Sequence, residues 1–355
     1  MKARLIAYYL PQYHPILEND EWWGKGFTDW RTVANAKPLF LGHYQPHIPA
    51  DLGFYDLRLP EARIAQAQMA REHGIEGFCY WHYWLGGGKL LLERPFEQVL
   101  KSGEPGFPFC VAWANHPWKG VWFGAGERTL IEQTYPGPKD HEEHFQYLLH
   151  AFTDDRYLTV DGKPILAIHR PRDIPEVKRF TDLWRELAHE AGLKGLHLVG
   201  EGLRPGRCEE FGFDASTYSY HRRVEWALPQ NGLARRMVNL YRQIRRKPAV
   251  YSYRQAIPYF LRDGNIDDDD YPSIVPNWDN TPRFGWRGVV LHDATPELFR
   301  VHVKQVLQGV AHKDLDRRIV FIKSWNEWAE GNYLEPDLRY GRAHLEVTRD
   351  ENYVD

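Results

Sequence analysis

The chain has 355 residues and a formal net charge of −3, with 45 Lys and Arg against 48 Asp and Glu. This near-neutral balance supplies no basic field for nucleic acid, and no stretch approaches the roughly 18 apolar residues of a membrane span. Three cysteines, Cys79, Cys110 and Cys208, do not make a disulfide framework; Cys79 and Cys110 sit in apolar runs and read as buried thiols.

In chain order, short apolar runs alternate with helical patterns. The expected strands are Leu5–Leu10, Gly77–Trp81, Phe109–Trp113, Pro164–Ile168, Leu196–Gly200, Ala215–Tyr218, Ser273–Pro276 and Ile319–Ser324. Helical periodicity falls at Pro60–His73, Arg94–Lys101, Lys139–Phe152, Pro175–Ala191, Tyr253–Arg262 and Pro296–His312. Eight strands with intervening helices spell a (β/α)8 barrel, an α/β fold, with residues 1–355 as a single catalytic domain. A doubly wound open sheet competes, but no Gly-rich phosphate fingerprint follows the first strand. The N-terminus enters that strand without a signal-peptide core or cleavage site, so a cytoplasmic location is expected.

Active sites of such barrels lie where the strands end. The expected strand ends carry Tyr8, Tyr9 and Gln12; Trp81, His82, Tyr83 and Trp84; Trp113, Asn115, His116 and Trp118; His169 and Arg170; Glu201; Tyr218 and His221; and Trp278, Asp279, Asn280 and Arg283. Aromatic residues make up 14% of the chain, more than a core needs, and aromatic faces pack well on pyranose rings. For any one of these side chains, packing is the plain alternative to sugar contact. Gly86-Gly87-Gly88-Lys89 lacks the spacing of a phosphate loop and reads as a flexible loop over the barrel mouth. Asp267–Asp270 reads as a solvated acidic loop, with a calcium site as the alternative. The basic segment 234–247 reads as a solvated helix docked on the barrel, with weak contact to an anionic membrane surface as the sharper alternative.

The last strand leads into Ser324-Trp325-Asn326-Glu327-Trp328-Ala329-Glu330-Gly331. Two carboxylates three residues apart under tryptophan suit glycosidic bond cleavage, where an apolar site keeps one acid protonated while its partner stays charged. Solvated acids at a helix N-terminus are the bland alternative.

This motif, followed by Leu334-Glu335-Pro336-Asp337, resembles the signature of the WbsX-type proteins, also described as glycoside hydrolase family 99-like or as lipopolysaccharide-biosynthesis glycosyltransferases. The opening Tyr8-Tyr9-Leu10-Pro11-Gln12-Tyr13-His14 resembles the same family. So do Gly26-Phe27-Thr28-Asp29-Trp30, His43-Tyr44-Gln45-Pro46 and Asn277-Trp278-Asp279-Asn280-Thr281-Pro282-Arg283. The resemblance implies a (β/α)8 barrel. It also implies that Glu327 acts as base toward a sugar 2-hydroxyl and Glu330 as acid/base at the glycosidic oxygen, with net retention through a 1,2-anhydro intermediate. The substrate class it implies is an α-linked manno- or rhamno-configured bacterial poly- or oligosaccharide. No metal or redox cofactor is expected. The expected sugar-binding set includes Trp30, Trp325, Asn326, Trp328 and Glu335 beside the strand-end residues above. The family commonly shows Trp-Ala-Asn-Glu at the third strand; this chain has Trp113-Ala114-Asn115-His116 there, which puts the substrate of any relative in doubt. A glycosyltransferase and a non-catalytic glycan-binding barrel are the two rival readings.

Overall fold

A computed structural model describes residues 1–120, 128–228, 232–261 and 266–353. Eight parallel strands form its centre: β1 (Arg4–Tyr9), β2 (Gly77–Trp84), β3 (Phe109–Trp113), β4 (Lys163–Ile168), β5 (His197–Glu201), β6 (Ala215–Tyr218), β7 (Asp270–Ile274) and β8 (Ile319–Ile322). Each pairs with the next in sequence, and β8 pairs with β1, so the sheet closes into a barrel. The outer helices are α1 (Pro60–Glu72), α2 (Arg94–Ser102), α3 (Pro138–Phe152), α4 (Val177–Glu190), α5 (Gly232–Arg245), α6 (Pro296–Val310) and α7 (Ala343–Asn352). Proline stands in the first turn of α1, α2, α3 and α6, where its missing N–H is not needed. Asn352 on α7 fastens the ring shut: its Oδ1 accepts from Ala3 N (2.9 Å) and its Nδ2 donates to Ala3 O (3.1 Å).

Three local departures from the sequence pattern have physical causes. β7 begins at Asp270, three residues before the expected start, and Asp270 is buried. The Lys313 ammonium donates to the carbonyls of Asp268 and Asp270, which lets this end of the acidic run leave solvent. The expected helix 253–262 is broken into Tyr253–Ala256 and a 3-10 turn at Ile257–Tyr259, because Pro258 cannot donate to the helical ladder. The glycine run is a pinned hairpin rather than a loose cover. β2 folds back on Leu90–Leu91, Gly87 N donates to Asp140 Oδ1 (2.6 Å), and a Cβ on Gly86 would lie 2.6 Å from Thr134 O.

Between β5 and β6 a single 3-10 turn, Cys208–Phe211, replaces a helix. Between β6 and β7 the chain instead adds α5 and the strand Ala249–Ser252, which pairs in parallel with Val289–His292. This small sheet has its own apolar centre around Tyr253, Phe260, Val275 and Trp278. Cys79 and Cys110 are neighbours across β2 and β3, both buried and free. Among the described residues no helix is long and apolar enough to cross a membrane.

Lys313 is 4% exposed, and burial lowers its ammonium to about 8. Lys313→Met would leave the buried Asp270 carbonyl without its donor, and urea unfolding is expected to show a loss of about 1–3 kcal/mol.

Candidate active site

A cavity of about 220 Å³ opens at the C-terminal ends of the barrel strands. One side carries Glu327, Glu330 and Arg283; the facing walls are Trp81, Tyr83, Trp118, His116 and His169, with Gln12, Arg170 and Lys323 between them.

The carboxylate pair sits on a tightly fastened turn. After β8, Asn326–Glu327 pairs antiparallel with Asn332–Tyr333, and Trp328–Glu330 forms one 3-10 turn between them. Trp325 N donates to Tyr8 O (2.7 Å), and Asn326 brackets Leu10 by accepting from its N (2.7 Å) and donating to its O (3.1 Å). Gly331 ends the turn at φ +53°, and a Cβ there would lie 2.7 Å from Asp279 Cβ, so the position requires glycine. Asp279 N in turn donates to Glu330 O (2.7 Å).

Arg283 joins the acids. Its Nη2 lies 2.8 Å from Asp29 Oδ2 and 2.9 Å from Glu327 Oε1, and its Nη1 lies 2.9 Å from Glu330 Oε1. One guanidinium therefore pairs with three carboxylates in a largely buried site, and the planar fork of arginine suits this task. Burial pushes the Glu327 carboxyl up to about 7; Arg283 opposes that rise, and the neighbouring Glu330 and Asp29 add to it. Burial also raises Asp29, again against the pull of Arg283.

Across the cavity His169 Nδ1 lies 2.5 Å from Glu201 Oε2. Burial alone would raise Glu201, yet His169 and Lys323 together draw it down to about 2. His116 packs against His169 with ring centres 5.1 Å apart, and burial lowers it to about 3, so its ring is neutral. Trp81 stacks on Tyr8 at 4.7 Å and meets His169 edge to face.

The alternation of strand side chains sorts the remaining expected residues. On β2, Trp81 and Tyr83 face the cavity, while His82 and Trp84 point outward to α3. There His82 bonds His144 (2.9 Å) and Trp84 stacks on the same imidazole. Trp113 is also outward, its Nε1 donating to Trp84 O (2.9 Å). Tyr9 is outward and donates to Gln66 Oε1 (2.6 Å), whereas Tyr8 lies inside the barrel beneath Trp81. Asn115 lies behind the wall and holds Arg170 through that residue's N and O (both 2.8 Å). Tyr218 is exposed at the end of β6.

Several other members of the set support the turn instead of lining the cavity. Trp30 is buried against Tyr13, Tyr55 and Trp328. Trp325 packs on Phe78, and Trp328 stacks on Tyr333 at 3.7 Å. Glu335 is buried beneath them, accepting from Trp328 Nε1 (2.6 Å), Gln66 Nε2 (2.6 Å) and Tyr55 OH (2.8 Å). Trp278 lies against His221 in the small apolar centre. Asp279 binds His43, Gln45 and Thr281, and Asn280 Oδ1 accepts from Val289 N (2.7 Å). These contacts orient the segment that carries Arg283.

Two site residues were not singled out from the sequence as such: Asp29 and Lys323. Lys323 was accessible from strand parity, because it stands two residues beyond the inward-facing Phe321. Asp29 lies within the motif Gly26-Phe27-Thr28-Asp29-Trp30, but nothing local marks it as the buried partner of Arg283. Among the described residues no group of three or more His, Cys, Asp and Glu is arranged to hold a metal ion. Arg283 occupies the centre of the acidic cluster.

A closed (β/α)8 barrel with paired acids at the strand ends has the architecture in which many carbohydrate-active enzymes are built. The chain belongs to the family whose model, described as Glycosyltransferase WbsX, matches residues 5–348. The protein "Uncharacterized protein WxcX" of Xanthomonas campestris pv. campestris, in strains B100 and ATCC 33913, is 38% identical over 371 residues. That match covers 98% of this chain and 49% of the relative, so the chain spans about half the length of the curated relatives it matches. Among solved structures, a "Glycoside hydrolase-like protein" superposes with a TM-score of 0.60 at 15% identity, covering 99% of this chain and 94% of the other. A GH99 endo-alpha-mannosidase from Bacteroides thetaiotaomicron, in complex with bis-tris propane, gives 0.57 at 16% identity, covering 98% and 95%. These structures share the fold.

Glu335→Ala would strip three buried donors of their acceptor beneath the catalytic-face turn. Thermal and urea unfolding are expected to show a loss of about 3 kcal/mol. A change in glycan affinity with unaltered stability would instead assign Glu335 to sugar binding.

Proposed function

We propose that the chain is a retaining glycoside hydrolase, with Glu327 as base toward a substrate 2-hydroxyl and Glu330 as acid/base at the glycosidic oxygen. The observation that carries this reading is the shared guanidinium: both carboxylates come from one turn and both bond Arg283 at 2.9 Å. Acid and nucleophile of ordinary retaining enzymes flank the bond about 5–5.5 Å apart. Two carboxylates gathered on one cation are better placed to serve adjacent oxygens of a single sugar.

In the first step Glu327 takes the O2 proton as O2 attacks the anomeric carbon, and Glu330 protonates the departing oxygen. The C1–O bond to the leaving group breaks and a 1,2-anhydro sugar forms. Glu330 then accepts a proton from water, water opens the three-membered ring at C1, and Glu327 returns its proton to O2, giving net retention. The route requires O2 trans to the leaving group, as in α-D-mannosides and α-L-rhamnosides, so α-linked manno- or rhamno-configured poly- or oligosaccharides are the substrate class. The aromatic walls Trp81, Tyr83 and Trp118 suit the apolar faces of such sugars. A carboxyl held near 7 is poised as a base at neutral pH.

The family's description favours a second reading, a glycosyltransferase. Product release from α-mannans and rhamnose-rich polysaccharides separates the two. Cleavage by wild type, with a loss of at least about 10²-fold in Glu327→Gln and Glu330→Gln at unchanged unfolding midpoint, is expected for the hydrolase. Transfer from a nucleotide-sugar donor without glycan cleavage would favour the transferase. Glycan binding without any turnover would favour a non-catalytic barrel.

The base assignment also sets a pH dependence. Because Glu327 must be ionised to accept the O2 proton, kcat/KM is expected to rise with pH through about 7. Arg283 favours the ionised form, so Arg283→Met is expected to move that rise to higher pH. A rise centred in the ordinary carboxylate range would contradict the assignment.

A further inference from the structure

We infer that helix α5 is a docking surface for an anionic lipid bilayer. The segment 232–247 holds six Lys and Arg and no acid, in a chain whose net charge is −3. Three members of its apolar stripe do not pack onto the barrel as amphipathic patterning leads one to expect: Met237, Leu240 and Ile244, at helical spacing, are 65%, 58% and 71% exposed. Arg236, Arg245 and Arg246 are also exposed, so the outward face combines large apolar side chains with cations. A helix lying in a membrane interface has this composition, with the apolar stripe entering the acyl boundary and flanking arginines meeting anionic headgroups.

Other occupants fit less well. Nucleic acid would use the arginines but has no use for a stripe of Met, Leu and Ile. A second copy docked through the same face would bring two highly cationic helices together. The placement is coherent with a surface role. α5 follows β6, on the end of the barrel that carries the cavity, and its C-terminal side is tied down where Lys247 Nζ donates to Leu39 O (2.6 Å). Adsorption through α5 would hold the cavity close to the bilayer, where membrane-tethered glycans are presented. The inference does not depend on the hydrolase reading, because binding is measured without turnover.

Cosedimentation of the full chain with phosphatidylcholine vesicles, and with phosphatidylcholine–phosphatidylglycerol vesicles, tests it. Partition onto the anionic vesicles is expected to exceed that onto neutral ones about tenfold and to weaken with salt. The variant Met237→Ser/Leu240→Ser/Ile244→Ser is expected to lose about tenfold in partition at an unchanged unfolding midpoint. A second variant, Arg236→Ser/Arg245→Ser/Arg246→Ser, is expected to lose the preference for anionic lipid. No partition of wild type onto anionic vesicles, or undiminished partition of the apolar triple variant, would overturn the inference. So would stripe-dependent self-association, measured by sedimentation velocity, in a chain that ignores vesicles.

Discussion

The site depends on one guanidinium. Three carboxylates converge at the end of the barrel, and without a cation at their centre their mutual repulsion and desolvation would drive at least one of them to take up a proton or turn away. Arg283 bonds Asp29, Glu327 and Glu330 together, and much of the surrounding architecture holds Arg283 and the acids in register. Asp279 accepts from Gln45 and Thr281, pairs with His43 and holds the Glu330 carbonyl through its own N–H. The close approach of Gly331 to Asp279 brings the two loops together. Beneath them, Glu335 collects Tyr55, Gln66 and Trp328 into a buried hydrogen-bonded floor.

The cavity has two electrostatic halves. On one side burial wins against Arg283 and leaves Glu327 near the neutral range, able to gain and lose a proton. On the other, His169 and Lys323 win against burial and keep Glu201 ionised. Lys323 favours the charged form of both acids, so it links the halves. Glu327 can therefore exchange a proton with a bound glycan, whereas Glu201 presents a fixed charge to it. Burial keeps the imidazole of His116 neutral, so this part of the facing wall offers hydrogen bonding without charge.

Much of the barrel was legible because its strands are apolar runs at regular intervals and four of its outer helices open with proline. The expectation failed where a distant partner changed the local balance. Asp270 enters β7 because the Lys313 ammonium, 43 residues away, reaches its carbonyl. The helix expected over 253–262 ignored the cost of Pro258. At the site, the Glu pair was legible as a motif, whereas the clamp was not: Arg283 reaches across 47 residues to Glu330 and 254 to Asp29. Reading consecutive residues at strand ends as one site also mixed two faces. Period-two alternation sends His82, Trp84, Trp113 and Tyr9 to the helices, and applying it would have separated Trp81 and Tyr83 from them and added Lys323. The apolar stripe of α5 was legible, but its outward orientation was not, because periodicity gives a face without saying what it faces.

The central claim is that the two carboxylates address adjacent oxygens of one sugar. A crystal structure of Glu330→Gln with a bound α-linked oligosaccharide tests it most directly. The account predicts the 2-hydroxyl of one sugar hydrogen-bonded to the Glu327 carboxylate and the glycosidic oxygen of the same sugar beside the residue at 330, with Arg283 still bonded to Glu327. A glycan seated with its 2-hydroxyl away from Glu327, or with the two carboxylate positions on opposite faces of the ring, would contradict it.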